Sequence, residues 1–245
     1  MPRRSPVTIY HPVVWVTGAS RGIGREIAKQ FALIGCRVCV TARDAKALHA
    51  LVNEIIDRGG NAGSFPADIS DIRKLSSAAL RIKRTVGAVD VLVNNAGITV
   101  FKSFLATTQN EFHQILHTNL LGQIAAIRSV LPAMIRRKRG LIINILSTAS
   151  VKTFEGSAAY TAAKAGMHGL SKVLREEVRK HGVKIINVMP GPTATAMWSR
   201  ADRKKYASRM MTAKEVAETV LALYTVPQRV VPEEVMLSPI RGDIS

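Results

Sequence analysis

The fold of this chain is decided by the segment Thr17-Gly18-Ala19-Ser20-Arg21-Gly22-Ile23-Gly24. An apolar run typical of a buried strand precedes it, at Val13 to Val16, and a stretch with helical periodicity follows it. Glycine permits a tight turn and close approach of a ligand, while free N–H groups at a helix start attract phosphate. The order of strand, turn and helix predicts a site for the pyrophosphate of a dinucleotide. Because the spacing G-x-x-x-G-x-G departs from the more widely shared G-x-G-x-x-G, a purely structural turn is an alternative for this segment alone.

Beyond this turn, apolar strand-like runs alternate with helical stretches over the whole chain. This alternation predicts an α/β fold, a Rossmann-type doubly wound parallel sheet of about seven strands with helices on both faces. We expect one dinucleotide-binding catalytic domain spanning residues 1–245, because neither a linker nor a repeat interrupts the pattern. The predicted strands are Val13–Thr17, Arg37–Thr41, Ala62–Ala67, Val89–Asn94, Leu141–Leu146, Lys184–Met189 and Glu234–Leu237. The predicted helices begin near Ile23, Ala45, Ile72, Thr108, Ala158 and Thr212.

Composition indicates a globular protein that works in the cytoplasm. The chain has 245 residues, of which 47% are hydrophobic, and its apolar runs are too short to span a bilayer. The first twelve residues lack the apolar core of a secretory signal, so we expect a cytoplasmic location. Cys36 and Cys39 fall within a predicted strand, where residues three apart face opposite sides, and we interpret them as buried structural thiols. We predict no metal site.

The formal net charge of +18 implies an attraction to acidic partners. Nucleic acid, an anionic membrane surface, or a substrate that carries phosphate, coenzyme A or an acidic carrier protein, such as an acyl thioester, would each fit that charge. The densest basic run is Arg136-Arg137-Lys138-Arg139, and aromatic residues do not alternate with it as they do in single-strand binding platforms. We therefore favour solvated helix ends, and we expect neither a membrane nor a nucleic acid as partner.

Tyr160 and Lys164 are four residues apart in Y-T-A-A-K, within a predicted helix. Positions i and i+4 share one helix face, so the Lys164 ammonium can lie beside the Tyr160 phenol and lower its pKa. An unperturbed phenol has a pKa of about 10 and transfers protons poorly at neutral pH. The pair therefore indicates acid–base chemistry, although a lone Tyr and Lys on a surface helix have the same spacing.

Five separated motifs make the chain resemble the short-chain dehydrogenase/reductase family nearly from end to end. They are the glycine-rich turn, Asn94-Asn95-Ala96-Gly97, Asn119, Ser147 with Tyr160 and Lys164, and Pro190-Gly191. Leu146 stands where the family usually has the first serine of a pair, but the serine that the resemblance makes catalytic is present as Ser147. The central region is most similar to beta-ketoacyl carrier-protein reductases. The carboxyl-terminal sequence, which ends in S-P-I-R-G-D-I-S, departs from theirs.

The resemblance implies a role for each of four catalytic residues. Ser147 would bind the substrate oxygen, and Tyr160 would exchange a proton with it as hydride moves to or from a nicotinamide ring. Lys164 would hold the nicotinamide ribose as well as lower the pKa of Tyr160. Asn119, in a helix that the family interrupts at this residue, would anchor a water that relays protons from Lys164.

The choice of cofactor depends on the tip of the second strand, C-V-T-A-R-D. An acidic residue at that tip would select NAD, but Ala42 occupies the place. Arg43 follows and can bind a 2′-phosphate, so we expect NADP(H). Asp44 leaves an alternative open, because it can either reach the ribose or cap the next helix. By resemblance, the cofactor-binding residues are Gly18, Ser20, Arg21, Gly22, Ile23, Gly24, Arg43, Asp68, Ile69, Asn95, Ala96, Gly97, Tyr160, Lys164, Pro190, Gly191, Thr193 and Thr195.

The sequence thus predicts an NADP(H)-dependent oxidoreductase that interconverts a carbonyl and an alcohol. A narrower alternative is a 3-oxoacyl-[acyl-carrier-protein] reductase, and a remote one is a non-catalytic regulator that binds a dinucleotide or nucleic acid. Residues 195–211 are the expected substrate lid, with Met197, Trp198, Met210 and Met211 lining an apolar pocket. Ordinary packing or a subunit contact is an equal alternative for these side chains. The resemblance implies a homodimer or homotetramer formed through the helices at 108–136 and 158–179.

Overall fold

The computed structural model describes residues 11–242 and 244. It confirms the predicted fold class, a parallel seven-stranded sheet with helices on both faces. The strands are β1 (Val13–Thr17), β2 (Arg37–Thr41), β3 (Asn61–Ser64), β4 (Val91–Asn94), β5 (Gly140–Ile145), β6 (Val183–Pro190), β7 (Thr193–Ala194), β8 (Met211–Thr212) and β9 (Glu234–Leu237). The helices are α1 (Gly22–Leu33), α2 (Ala45–Asp57), α3 (Ile72–Thr85), α4 (Gln109–Leu116), α5 (Gly122–Arg136), α6 (Ala158–Val178), α7 (Arg200–Lys205) and α8 (Ala213–Tyr224).

The seven strands lie in the order β3-β2-β1-β4-β5-β6-β9, so the chain reverses its direction of winding between β1 and β4. In doubly wound sheets the crevice at this reversal, beyond the carboxyl ends of the strands, is where ligands bind. The two-residue strands β7 and β8 pair with each other outside the main sheet. The sequence did not predict them, because two residues are too few for a periodic pattern.

Two apolar cores separate the helices into layers. On one face the sheet packs against α1, α2 and α8, through residues such as Phe31, Leu51 and Val220. On the other face it packs against α3, α5 and α6, through residues such as Leu75 and Met134. Cys36 and Cys39 are buried free thiols, as predicted, and burial raises their pKa values to about 11 and about 12.

Several element boundaries differ from those predicted. β3 ends at Ser64 instead of Ala67 because Pro66 has no N–H to donate, although Phe65 and Ala67 still donate backbone bonds to β2 and to Ala42. β4 begins at Val91 instead of Val89. Thr108 and Thr212 are the capping residues before α4 and α8, each in a reciprocal bond with a glutamate three residues on.

The basic run, Arg136 to Arg139, lies immediately before β5, at the amino-terminal ends of the sheet strands. Arg137 and Arg139 both approach the buried carboxylate of Asp90, with N–O distances of 3.4 Å. The Asp90 carboxylate also accepts the Val13 N–H at 2.9 Å. Arg137 and Arg139 therefore help to hold the start of β5 beside the start of β1 through Asp90, so the basic run does not face solvent along its whole length. Within residues 11–242, no helix is long and apolar enough to cross a membrane.

Candidate active site

The glycine-rich turn between β1 and α1 is shaped by the segment that follows β4. Gly18 has a φ of +67°, and a Cβ at this position would lie 2.6 Å from the Cα of Ala96. A Cβ at Gly24 would overlap the Asn95 amide and lie 2.7 Å from the Gly18 carbonyl oxygen. The Asn95 amide donates to the carbonyls of Thr17 and Gly18 at 3.0 and 3.1 Å. Only glycine fits at these two positions, because the two backbone segments approach so closely.

A cavity of about 570 Å³ opens above this turn, at the reversal of strand order. Its lining brings together most of the cofactor-binding residues that the sequence predicts: Gly18, Ser20, Arg21, Gly22, Ile23, Arg43, Asp68, Ile69, Asn95, Ala96, Gly97 and Thr195. It also includes residues that sequence reasoning did not select, such as Thr17, Thr41, Ile98, Thr99, Thr118 and Met197. Several of these residues are neighbours in the sequence of a predicted cofactor-binding residue. That proximity is the feature of the sequence from which they could have been predicted.

Six of the predicted cofactor residues lie outside this lining: Gly24, Tyr160, Lys164, Pro190, Gly191 and Thr193. Gly24 packs beneath the turn, as described above. Gly191 donates its N–H to Leu237 O at 2.8 Å, and Thr193 Oγ1 donates to Gly191 O at 3.0 Å. These bonds hold the segment that follows β6 in place. Thr195 of this segment lies against Gly22 and lines the cavity.

The tip of β2 presents an arginine to the cavity. The Arg43 side chain is 69% exposed and lies 4.0 Å from the Asp68 carboxylate. Ser70 orients that carboxylate through its N–H at 2.9 Å and its hydroxyl at 2.7 Å. Asp44 accepts the Ala47 N–H at 2.9 Å and caps α2, the second of the two roles left open for it. The Asp44 carboxylate is therefore engaged by α2, whereas the largely exposed Arg43 guanidinium can meet a phosphate.

Tyr160 and Ser147 meet at the carboxyl end of β5. Tyr160 lies in the first turn of α6 and is 6% exposed, and its phenol interacts with the Ser147 side chain. Burial raises the pKa of Tyr160 to about 12, and the interaction with Ser147 opposes this in part. The Ser147 hydroxyl also accepts the Ala149 N–H at 3.1 Å, which caps a short 3₁₀ turn and fixes the orientation of the serine.

Lys164 lies one helical turn beyond Tyr160, in the interior of the protein. It is 3% exposed, and its Nζ donates to Ile145 O at 2.8 Å. The same Nζ lies 5.8 Å from the centroid of the Tyr160 ring. Burial lowers the pKa of Lys164 to about 8, because desolvation disfavours the ammonium.

The expectation that Lys164 lowers the pKa of Tyr160 stays a prediction. The i, i+4 spacing brings the two side chains together, and burial raises the pKa of the phenol to about 12, so the phenol is protonated at neutral pH. A protonated phenol held by a serine hydroxyl is a proton donor, which suits the direction in which a carbonyl is reduced.

Asn119 lies in a π-helical turn, His117–Leu121, between α4 and α5. Its amide pairs with the backbone of Ile98, accepting the N–H and donating to the carbonyl, both at 2.8 Å. A Cβ at Gly97 would lie 3.4 Å from Asn119 Oδ1 and 3.8 Å from Lys164 Nζ. Asn119 therefore holds the segment after β4 beside Lys164, whereas its role in a water relay stays a prediction.

A buried row of asparagines lies just below this layer and was not predicted. Asn94, Asn144 and Asn187 are in register on β4, β5 and β6 and are fully buried. Asn144 accepts from Asn94 at 3.0 Å and donates to Asn187 at 3.1 Å and to Ser171 of α6 at 3.0 Å. These hydrogen bonds fix the register of the three strands and the position of α6, the helix that carries Tyr160, against them. Asparagine near the carboxyl end of three apolar strands was the signal in the sequence.

Three aromatic side chains from separate loops surround the Tyr160 side of the site. The ring of Phe101 lies 6.3 Å from Tyr160, 5.8 Å from Phe154 and 6.2 Å from Trp198. Trp198 and the cavity-lining Met197 belong to the expected lid, whereas Met211 pairs in β8 and Met210 is buried. Phe101 and Phe154 were missed, because single aromatics in loops carry no periodic pattern. Among residues 11–242 and 244, no cluster of three or more His, Cys, Asp or Glu side chains is arranged to hold a metal.

Comparison with known proteins agrees with this geometry. A family model described as short chain dehydrogenase matches residues 12–206. The chain is 34% identical over 239 residues to a sepiapterin reductase of Chlorobaculum tepidum, covering 95% of this chain and 98% of the relative. It is 35% identical over 221 residues to a 3-oxoacyl-[acyl-carrier-protein] reductase of Synechocystis, covering 88% and 90%.

A solved structure shows the same likeness in three dimensions. It is a metagenomic short-chain oxidoreductase in complex with NADP, 36% identical, with a TM-score of 0.82 over 93% of this chain and 96% of the other. The glycine-rich turn, the Ser147–Tyr160–Lys164 group and these likenesses agree. The chain belongs to the short-chain dehydrogenase/reductase family of oxidoreductases.

Proposed function

We propose that the protein is an NADP(H)-dependent oxidoreductase that interconverts a carbonyl and an alcohol, with Tyr160 as proton donor and acceptor. The observation that carries the proposal is the buried Tyr160 phenol, which interacts with the Ser147 side chain and whose ring centroid lies 5.8 Å from Lys164 Nζ. All of the predicted catalytic side chains are assembled in one layer at the carboxyl ends of β4 and β5. A non-catalytic dinucleotide-binding regulator would not need that assembly.

The residues of this chain account for the proton half of the reaction. In reduction, the Ser147 and Tyr160 hydroxyls would bind the carbonyl oxygen. The residues that line the cavity would hold NADPH, which would supply the hydride for the carbonyl carbon. Tyr160 gives its proton to the oxygen and becomes a phenolate. The Lys164 ammonium, 5.8 Å from the ring centroid, stabilises that negative charge in a site where water screens it little. Oxidation of the alcohol reverses each step.

Arg43 is the basis for proposing NADP(H) in preference to NAD(H). The guanidinium is exposed beside the cavity, and the acidic residue that would select a free 2′-hydroxyl is replaced by Ala42. The guanidinium lies 4.0 Å from the Asp68 carboxylate, which Ser70 orients, and both Arg43 and Asp68 line the cavity. The NADP complex of the metagenomic relative supports this assignment.

A second, narrower function is the reduction of 3-oxoacyl groups on a carrier protein, and the Synechocystis relative favours it. The basic run, however, precedes β5, at the opposite end of this strand from Ser147, and Arg137 and Arg139 of the run pair with Asp90. A carrier docked there would not face the site. We also propose that the protein is cytoplasmic. We propose further that it assembles into a homodimer or homotetramer through α4, α5 and α6, and light scattering of the purified protein tests this assembly.

The test is a screen of NADPH oxidation with small ketones, cyclic ketones, quinones, and acetoacetyl thioesters of coenzyme A and carrier protein. The proposal expects turnover with at least one carbonyl and a higher kcat/KM with NADPH than with NADH. NADPH binding without turnover of any of these carbonyls would reject it in favour of the regulator. A large preference for the carrier thioester over the coenzyme A thioester would establish the narrower function.

A further inference from the structure

The aromatic cluster beside Tyr160, formed by Phe101, Phe154 and Trp198, is incompletely covered. Phe101 is 44% exposed and Phe154 is 47% exposed, and Trp198 is partly buried. Large aromatic side chains contribute most to binding and stability when they are buried, so a group of half-exposed rings at one place indicates a binding surface. The edge of this surface is the catalytic phenol itself, at a ring-centroid distance of 6.3 Å.

The cluster is also held in place by the backbone. Phe101 belongs to the loop after β4 and Phe154 to the loop after β5, and the Lys102 N–H donates to Gly156 O between these loops at 3.0 Å. Gly156 has a φ of +76°, a conformation that glycine adopts without strain. The Lys102 ammonium is directed away from this contact into an ion pair with Glu111. The loops therefore present rings, in a fixed arrangement, next to the hydroxyl that receives the substrate oxygen.

The rings are inclined to one another. Phe101 is tilted by 53° to Phe154, by 41° to Trp198 and by 69° to Tyr160. Aromatic pairs favour offset or edge-to-face contacts with centroids about 4.5–7 Å apart, and a fourth ring from the substrate can complete such a set. A saturated ring of the same size would also bury apolar surface against these side chains, but it would not make the oriented aromatic–aromatic contacts.

We propose that Phe101, together with Phe154 and Trp198, forms a wall that selects ketones with a flat aromatic ring attached to the carbonyl carbon. This inference rests on the proposed function, because the carbonyl must sit at the Tyr160 and Ser147 hydroxyls for the ring to reach the wall. Phe101 is then a specificity-determining residue. Trp198, in the expected lid, adds a third ring to this wall, 6.2 Å from the ring of Phe101.

The experiment compares methyl phenyl ketone with methyl cyclohexyl ketone, which differ in the aromaticity of one ring. The kcat/KM of each is measured with NADPH for the wild type and for Phe101→Leu, which keeps an apolar side chain but removes the ring. The two ketones differ in intrinsic reactivity, but this difference is the same for every variant. A change in the phenyl-to-cyclohexyl ratio of kcat/KM between variants therefore reports the contact with the Phe101 ring. We expect Phe101→Leu to lower the phenyl-to-cyclohexyl ratio by roughly 2- to 10-fold.

Phe104→Leu is the matched control on the same loop. Phe104 packs on Phe112 at 5.9 Å, away from the contacts of Phe101, and its removal should leave the ratio unchanged. Phe154→Leu repeats the test at a second ring of the cluster, and it should lower the ratio in the same direction. An unchanged ratio in both Phe101→Leu and Phe154→Leu, or an equal fall in Phe104→Leu, overturns the inference. Absence of NADPH oxidation with every carbonyl tested would instead overturn the proposed function.

Discussion

The two halves of the site are built in different ways. The cofactor half is made mainly of backbone: the glycine-rich turn and the segment after β4 approach so closely that side chains are excluded at Gly18 and Gly24. The substrate half is made of side chains from three loops, and two of its rings remain about half exposed. Where the backbone forms the site, few sequences satisfy the geometry and a short motif identifies it. Where loop side chains form the site, many sequences do, and the structure is needed.

Tyr160, where the two halves meet, should give the largest effect. Tyr160→Phe keeps the ring that packs on Phe101 but removes the proton donor, so we expect kcat to fall by about two to four orders of magnitude. The dissociation constant for NADPH should change little, because the cavity lining is untouched. Steady-state rates and a fluorescence titration of NADPH measure the two quantities. A variant that retains more than about a tenth of wild-type activity on a good substrate would contradict the mechanism.

Cofactor preference tests the cofactor half through Arg43, a charged residue of the cavity lining. Replacing Ala42 with Asp and Arg43 with Leu removes the cation beside the cavity and places a carboxylate at the tip of β2. Hydrogen bonds to charged groups contribute about 1.5–3 kcal/mol, so we expect the NADPH-to-NADH ratio of kcat/KM to fall by about 10- to 100-fold. Arg21, in the same cavity lining, should keep the change toward the lower end.

Two outcomes would oppose that prediction. A wild-type preference for NADH would show that Arg43 does not bind a phosphate. An unchanged preference for NADPH in the double variant would show that another residue, with Arg21 the first candidate, sets the preference.

The backbone construction of the turn can be broken with a single methyl group. Gly18→Ala places a Cβ 2.6 Å from Ala96 and forces alanine to a φ of +67°. The strain of about 1–2 kcal/mol should lower Tm by roughly 2–8 °C and weaken NADPH binding by about 5- to 30-fold. Gly169→Ala in α6 is the control, because a Cβ there meets no atom within 4 Å. Equal Tm values for both variants would argue against a turn defined by close approach.

The pH dependence of reduction should report Lys164. Its pKa is lowered to about 8, so the ammonium that stabilises the forming phenolate is present below that pH and is lost as the pH rises through it. Tyr160, with a pKa raised to about 12, remains protonated over this range. We expect kcat/KM for reduction to fall by about tenfold between pH 7 and pH 9. A flat profile to pH 9.5, with the protein still folded by circular dichroism, would contradict this role.

What the sequence could predict follows the same division. The alternation of elements, the glycine-rich turn and the Tyr160–Lys164 spacing are local patterns, and the structure places them as expected. The raised pKa of Tyr160 was not predictable from spacing, because it depends on burial by residues that are distant in the chain. The Asn94–Asn144–Asn187 row depends on the register of three strands, and the Phe101 cluster on where three loops end. Both are products of tertiary structure.

The separation of the two halves is the central claim, and one set of measurements tests it directly. Arg43→Leu, Phe101→Leu and the double variant are each assayed for the NADPH-to-NADH ratio and for the phenyl-to-cyclohexyl ratio of kcat/KM. We predict that Arg43→Leu changes only the first ratio and Phe101→Leu only the second. The double variant should show both changes at their single-variant size, since independent sites act additively to within about 0.5 kcal/mol. A Phe101→Leu variant that alters cofactor preference, or an Arg43→Leu variant that alters ketone preference, would contradict the account.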